Sequence, residues 1–424
     1  MNNRKLRSAW HLFWLVFIIV TIYLYSRRTT YLGITQDHGI DETGPSSIGA
    51  LSNPSVLSTS IVATYLNSIM DREDMNLPRL ECPRPDLSRY EYLKSQKSTK
   101  SSIQYFFALN LRECLPILPR LLGSLIEAIH FLGPENCAVS IVEGNSGDGT
   151  AEVLAALYPR LAKLLNGRVF FTLENDIRPL EGEGQRFKKL ADLRNMALQP
   201  MLINHDQYLN ATVVFINDVA ICFEDILELI HQRLFLGSDM TCAFDWTYGD
   251  SAEPIFYDSY IARSINGDLF FDIPAETASY SLAEYLFWNE PHAQARFKAN
   301  QPFQVFSCWN GAVAFTATPI VLGKVSFRAA LEKEGECYQG EPQLFCKDMW
   351  FQGYGKIAVI PSINLEYSNE NGKKIKADKG YTSQWVSKDG STDEKIDWQP
   401  PPDLVKCMPT FTDQTWHPWN ETLV

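Results

Sequence analysis

Carboxylates recur at the ends of apolar runs in this chain, and they are the groups best placed to do chemistry. In VSIVEGNSGDGT, Val139 to Thr150, a short apolar strand runs into an acidic, glycine-containing turn, with a helix-like segment from Ala151 to Leu165 behind it. A strand, a tight turn and a helix in that order present backbone and polar side chains to a nucleotide at the carboxyl ends of strands. A phosphate-cradling loop carries a lysine after its glycines, whereas here Glu143 and Asp148 would set negative charge against a phosphate. Carboxylates instead suit the N–H donors of a base, the hydroxyls of a ribose, or a metal. With Asn110, at the end of the preceding strand, they are candidate nucleoside contacts. The simpler alternative is a turn in which Asp148 or Thr150 caps the helix.

Asn217-Asp218 ends TVVFINDVAI, the most hydrophobic strand-like run. A carboxylate there is placed to hold Mn²⁺ or Mg²⁺ against the charge of a leaving diphosphate, although Asn-Asp is also common in plain turns. Arg194 and Asn195 close the segment RFKKLADLRN, where a guanidinium could fork onto phosphate or pair with Asp192. Asp245 and Asp258 stand among Trp246, Tyr248, Phe256, Tyr257 and Tyr260, a mixture suited to stacking on sugar rings and equally to an ordinary core. In ECYQGEPQLFCKDMW, Glu341 and Asp348 are seven apart, a spacing that returns to one helix face and would point both into one cleft. A carboxylate so placed can act as a base on an acceptor hydroxyl or stabilise an oxocarbenium-like centre.

These residues need elements to hold them. Strand-like runs are IQYFFALN (Ile103 to Asn110), Val139 to Glu143, VFFTL (Val169 to Leu173), TVVFINDVAI, Val305 to Thr316 and Lys356 to Ile363. Between them, helical apolar spacing covers Leu115 to Leu132, Arg186 to Leu198, Glu224 to Leu236 and Ser281 to Lys298. The alternation predicts an α/β domain: a mixed, mainly parallel sheet with helices on both faces. Beyond Tyr367 the chain is polar, Trp-punctuated and poor in periodicity, and reads as a wrap over the domain.

At 424 residues and a net charge of −12, with no basic stripe, the chain is not built as a nucleic-acid binder, and small molecules or glycans are the expected partners. Ala9 to Tyr25 is uncharged and mostly apolar, with Arg4, Lys5 and Arg7 before it and Arg27 and Arg28 after it. It reads as an uncleaved membrane anchor, with residues 1–8 as a cytoplasmic tail, 26–100 as a stem, and 101–424 as a lumenal domain. The sequons at Asn210 and Asn420 agree with a lumenal side. Of nine cysteines, Cys337, Cys346 and Cys407 are the first candidates for disulfides. Cys222 and Cys242 could be buried hydrophobes.

The order of the motifs resembles a known family. SIVEGNSGDGT after a YFFALN-type strand resembles the nucleotide-binding half of GT-A glycosyltransferases. RFKKLADLRN, VVFINDV, FDW followed by FYDSY, SCWNG and ECYQGEPQLFCKD resemble, in consistent order from Ile103 to Cys407, the fungal α-1,3-mannosyltransferases of glycosyltransferase family 69, linked to capsule and cell-wall glycans. The resemblance implies a GT-A fold, a type II Golgi membrane protein, GDP-mannose as donor, a mannose-containing acceptor, and an α-1,3 linkage made with retention. It puts nucleoside recognition on Glu143 and Asp148, and the DXD equivalent, with metal ligand Asp218, on Asn217-Asp218-Val219. Acceptor or sugar contacts fall near Trp309, Asn310 and Gly311, and the acid near the reacting centre is Glu341 or Asp348. The chain departs from the GT-A pattern in having one carboxylate in NDV and no late histidine except His417, deep in the tail. A glycan-binding scaffold without turnover, a transferase for another donor or a small-metabolite acceptor, and a hydrolase are the competing readings.

Overall fold

The computed structural model describes residues 56–95, 102–182, 184–248, 253–387, 390–391 and 393–423. The proposed anchor, Ala9 to Tyr25, lies outside the described residues. Helix α1 (Thr59–Met70) comes first. Strand β1 (Tyr105–Leu111) leads to α2 (Leu118–Leu132), β2 (Cys137–Glu143) to α3 (Thr150–Leu164), and β3 (Val169–Thr172) to α4 (Arg186–Ile203). Then come β4 (Thr212–Ile216), α5 (Phe223–Leu236), β5 (Met240–Tyr248), and the short β6 (Pro254–Phe256) and β7 (Arg263–Ser264). Helix α6 (Pro291–Lys298) precedes β8 (Phe303–Ser307) and β9 (Ala312–Thr316). Helix α7 (Glu341–Phe351), β10 (Ile357–Leu365), α8 (Asn369–Lys379) and the hairpin of β11 (Leu404–Thr410) and β12 (Asp413–Pro418) complete the order.

The main sheet runs β3-β2-β1-β4-β9-β5-β10-β8-β7, with β6 on β5. β1 pairs in parallel with β2 and β4, β2 with β3, and β5 with β10, while β9 is antiparallel between β4 and β5. The carboxyl ends of β1, β2, β4 and β5 therefore share one edge with the amino end of β9. That edge is where open α/β sheets bind ligands. Burial on both faces explains the continuous apolar runs of the central strands. Phe107, Leu109, Val214 and Ile216 pack into the core under α2, α3 and α5, and the alternate residues Phe106, Ala108, Val213 and Phe215 into the core under α4. The expected mixed, mainly parallel sheet with helices is what the chain forms.

Several elements differ from the sequence reading. The run Val305 to Thr316 is two strands, because Asn310 and Gly311 take φ of 52° and 82° and turn the chain between them. In Ser281 to Lys298 only α6 is helical, since Pro291 supplies a preorganised first position and disfavours the α conformation before it. The tail holds α8, whose Ser368 side chain accepts from the Asn371 N–H at 3.1 Å, and the β11–β12 hairpin.

Residues read as stem are packed onto the domain: Leu66, Ile69, Leu80, Tyr90 and Leu93 are buried in its core. The helical run Leu115–Leu132 is long and apolar enough to cross a membrane, and it is mostly buried as a core helix. The disulfides are Cys82–Cys222, Cys242–Cys308 and Cys337–Cys407. Of the three candidates Cys337 and Cys407 are bridged, whereas Cys346 is a buried free thiol, and Cys222 and Cys242 are bridged rather than plain buried hydrophobes.

Candidate active site

At the carboxyl end of β4, Asn217 donates its backbone N–H to the Gly311 carbonyl at 2.9 Å, and its Oδ1 accepts from Trp309 Nε1 at 3.1 Å. The NDV turn and the WNG turn are thereby one unit. Gly311, at a positive φ that favours glycine, sits where a Cβ would be tight against Val219 Cγ1, at 3.2 Å, and in contact with Asp245 Cβ, at 3.4 Å, so these strand ends meet closely at the turn. Asn310 donates its N–H to Asp258 Oδ2 at 2.9 Å and its side-chain amide to the Ala243 carbonyl at 2.9 Å. The Cys242–Cys308 bridge ties the same turn to β5.

Arg194, on α4, is the cation of this cluster. Its Nε donates to Glu341 Oε1 at 2.8 Å, and its guanidinium lies 4.4 Å from the Trp309 ring centroid, with Phe215 at 5.3 Å and Phe327 at 5.6 Å. Its terminal nitrogens make no hydrogen bond among the described residues. Asn110 lies alongside, and with its amide turned so that both ends are satisfied its oxygen accepts from the Arg194 backbone N–H at 3.2 Å and its nitrogen donates to the Leu109 carbonyl at 3.2 Å.

Asp245 is fully buried, and Tyr367 donates its hydroxyl to Asp245 Oδ2 at 2.7 Å. Burial, reinforced by Asp258, holds its carboxyl well above the usual range. Burial pushes Asp258 up to about 6 against the pull of the Asn310 N–H and Arg194. Burial also raises Asp218, with Arg194 acting in the opposite sense. Tyr257, 51% exposed, stands at the mouth within electrostatic reach of Asp218, Asp245 and Asp258.

The other expected site residues have different work. All four carboxylate oxygens of Glu143 and Asp148 accept backbone N–H groups: Glu143 from Asn145 and Ser146, Asp148 from Thr150 and Leu115. They close the β2–α3 turn and join it to the segment after β1, the capping use that the sequence also allowed for Asp148. Asn195 spends both ends of its amide on the Phe327 backbone, which seats the Phe327 ring near Arg194. Trp246 is a core residue, 4% exposed, with its Nε1 on Asn364.

Asp348 does not join Glu341 in the cleft. Arg328 grips both its oxygens, at 2.7 and 2.8 Å, within a network that includes Glu336 and Lys347. His417 pairs with Glu421 in the tail. Tyr367 is a site residue the sequence reading missed; its signal is its position two residues after the end of β10.

Asp218 and Asp245 offer hard oxygen donors, and Asp245 Oδ1 is buried without a hydrogen-bond partner among the described residues. That set fits Mg²⁺ or Mn²⁺. Elsewhere Glu228, His231 and Asp393 bring ligand atoms within 4.8 Å of one another. There the Arg89 guanidinium already pairs with both carboxylates, at 2.9 and 2.6 Å, so the cluster does not suit a cation.

Residues 104–348 match the family described as Cryptococcal mannosyltransferase 1. The chain is 34% identical over 356 residues to alpha-1,3-mannosyltransferase CMT1 of Cryptococcus neoformans var. neoformans serotype D, covering 80% of this chain and 73% of that protein. S. aureus TarS 1-349 in complex with UDP matches with a TM-score of 0.36 and 13% identity, over 63% of this chain and 60% of that one. Mannosyltransferase PcManGT from Pyrobaculum calidifontis in complex with GDP-Man and Mn²⁺ matches with a TM-score of 0.32 and 11% identity, over 72% and 62%. The chain spans less than two thirds of either structure's length, and both likenesses are too remote to bear on the site. The family match and the relative across most of the sequence agree with the order of the motifs: this chain belongs to the fungal capsule mannosyltransferase family and is a glycosyltransferase.

Proposed function

We propose that the chain transfers mannose from GDP-mannose to a hydroxyl of a mannose-containing acceptor, forming an α-1,3 linkage with retention. One observation carries this reading: Asp218, Asp245, Asp258 and Glu341 gather with Arg194 at the carboxyl edge of the sheet, and the terminal nitrogens of Arg194 stay open among the described residues. The relative's name supports the sugar and the linkage.

Arg194 is preorganised for a diphosphate. Glu341 fixes Nε, aromatic rings fix the plane, and the open fork matches two phosphate oxygens. As the bond from mannose C1 to the diphosphate breaks, that guanidinium meets the charge that develops. Asp218 and Asp245 would hold Mn²⁺ or Mg²⁺, which supplies further charge stabilisation to the diphosphate when bound. Asp258 has a carboxyl pushed up to about 6, so at neutral pH it can take the proton the acceptor hydroxyl loses as its oxygen bonds to C1. Both donor and product are α-linked, hence net retention.

The chain is a type II Golgi protein in this reading, anchored through Ala9 to Tyr25 with the enzyme in the lumen. Protease protection in sealed vesicles, with glycosidase-sensitive mobility of wild type but not of Asn210→Gln/Asn420→Gln, checks that placement. For the activity, the full-length protein is incubated with GDP-mannose and α-mannobiose, with Mn²⁺ or with EDTA, and the product linkage is analysed. An α-1,3-mannosyl product that needs the cation is expected. Transfer from another nucleotide sugar but not from GDP-mannose would overturn the donor, and undiminished turnover in EDTA would remove the metal.

A further inference from the structure

Beside the polar cluster lie three aromatic rings that the donor chemistry leaves unused. Phe187 stacks on Tyr260 with centroids 5.8 Å apart and meets Tyr338 at 5.0 Å. Each ring is carried by an element that also carries a polar group of the site. Phe187 lies seven residues before Arg194 on α4, which puts it on the same helix face two turns away. Tyr260 shares the turn of Asp258, whose carbonyl accepts the N–H groups of Ile261 and Ala262 at 3.1 Å. Tyr338 stands in the short segment that enters α7 at Glu341. All three rings are half-buried.

The C-terminal tail holds this group in place. Cys337, next to Tyr338, is bridged to Cys407 on β11. Tyr260 donates its hydroxyl to the Pro409 carbonyl at 3.1 Å, and Lys347 on α7 reaches Glu421 at 3.2 Å. The Tyr338 hydroxyl makes no hydrogen bond among the described residues, so one polar group stays open at the ring edges.

We infer that Phe187, Tyr260 and Tyr338, buttressed by the β11–β12 hairpin, form the acceptor subsite, in which a pyranose ring of the acceptor glycan packs its C–H face on the aromatics beside Asp258. The inference rests on the proposed transfer reaction. A sugar ring is apolar on its faces and hydroxylated at its rim, which matches rigid aromatic surface with a free phenol at the edge. Tyr260 lies two residues from Asp258, the group that takes the proton of the acceptor hydroxyl in the proposed reaction, and Tyr338 three residues before Glu341, so acceptor rather than donor is the occupant.

The test uses the full-length protein with GDP-mannose and α-mannobiose. Tyr338→Ala and Phe187→Ala should each raise KM for α-mannobiose about five- to tenfold, with a smaller change in kcat. The Kd for GDP-mannose, measured separately by titration, should stay within twofold. Tyr338→Phe, which keeps the ring, should recover most of the loss. Unchanged acceptor KM in both alanine variants overturns the subsite, as does a parallel loss of GDP-mannose binding, which would make the rings part of the donor pocket or of the fold. If wild type itself neither binds nor uses GDP-mannose, the transfer reading has failed, and that result is separate from the comparison of variants with an accepted donor.

Discussion

Arg194 shows how much one residue can organise. Its Nε is committed to Glu341 and its plane is trapped by Trp309, Phe215 and Phe327. A lysine would keep the charge and lose both the fork and the fixed plane. Arg194→Lys should therefore lower kcat/KM for GDP-mannose about a hundredfold, roughly 3 kcal/mol of transition-state stabilisation, with the thermal midpoint little changed. An effect under fivefold would show that a point charge suffices. Asp245 is the complementary case: a carboxylate whose burial beside Asp258 disfavours its charged form. Asp245→Asn keeps an acceptor for Tyr367 and removes the like-charge conflict, so the thermal midpoint should rise by about 1–3 °C while turnover collapses. A stabilised and fully active variant would place Asp245 outside the chemistry. These residues were legible because each ends a strand or lies in a motif. What composition and spacing could not show is which carboxylate already has a partner. Arg328 captures Asp348, and backbone N–H groups capture Glu143 and Asp148. Those contacts are made by the folded chain and leave no mark on spacing.

At the scale of elements, the decisive piece is the turn Cys308 to Gly311. The central strands β1, β2 and β4 could be read from their unbroken apolar runs, because burial on both faces leaves no alternation to misread. The β8–β9 break could not, since SCWNGAVAF is apolar throughout and its turn signal is confined to Asn-Gly. That turn reverses the chain so that β9 enters between β4 and β5 from the active edge. Gly311 is held at φ 82°, and an added Cβ would be tight against Val219 Cγ1, at 3.2 Å, and in ordinary contact with Asp245 Cβ, at 3.4 Å. Gly311→Ala should cost about 1–3 kcal/mol, mainly through backbone strain at the positive φ, with a small shift of Val219. Because the strained turn is bonded to Asn217 and Asp258 and presses on Val219, next to Asp218, activity should fall further than the fraction unfolded accounts for. Comparing turnover with the folded fraction by circular dichroism checks this, and an equal fall in both would make the glycine a folding requirement alone.

At the scale of the whole molecule, the segment before the sheet and the tail after it are clasped to α5 by buried charge. Arg89 pairs with Glu228 at 2.9 Å and with Asp393 at 2.6 Å, and His231 reaches the same Asp393 at 3.2 Å. Removing one partner leaves charge buried and unpaired, so Arg89→Ala should destabilise the fold by about 3–5 kcal/mol. The pH dependence follows from carboxyls shifted in opposite directions. In the folded chain Asp393 is lowered to about 2 by its His231 and Arg89 contacts, which outweigh burial, and Glu336 to about 2 by Arg328 and Lys347. Depressed carboxyls add stability above their unfolded values, near 4, and lose it as pH falls toward 2, roughly 2–3 kcal/mol each. Asp258, raised to about 6, and Glu224, raised to about 7, both by burial, act oppositely. Their charged forms strain the fold at neutral pH, and the strain eases as pH falls through those values. The thermal midpoint should therefore rise from pH 7.5 to about pH 5 and then fall steeply below about pH 4. Asp393→Asn should lower stability and flatten the acid limb, whereas Glu224→Gln should flatten the limb near neutrality. A midpoint that falls steadily from pH 7.5 downward would show that the raised carboxyls are not raised in solution.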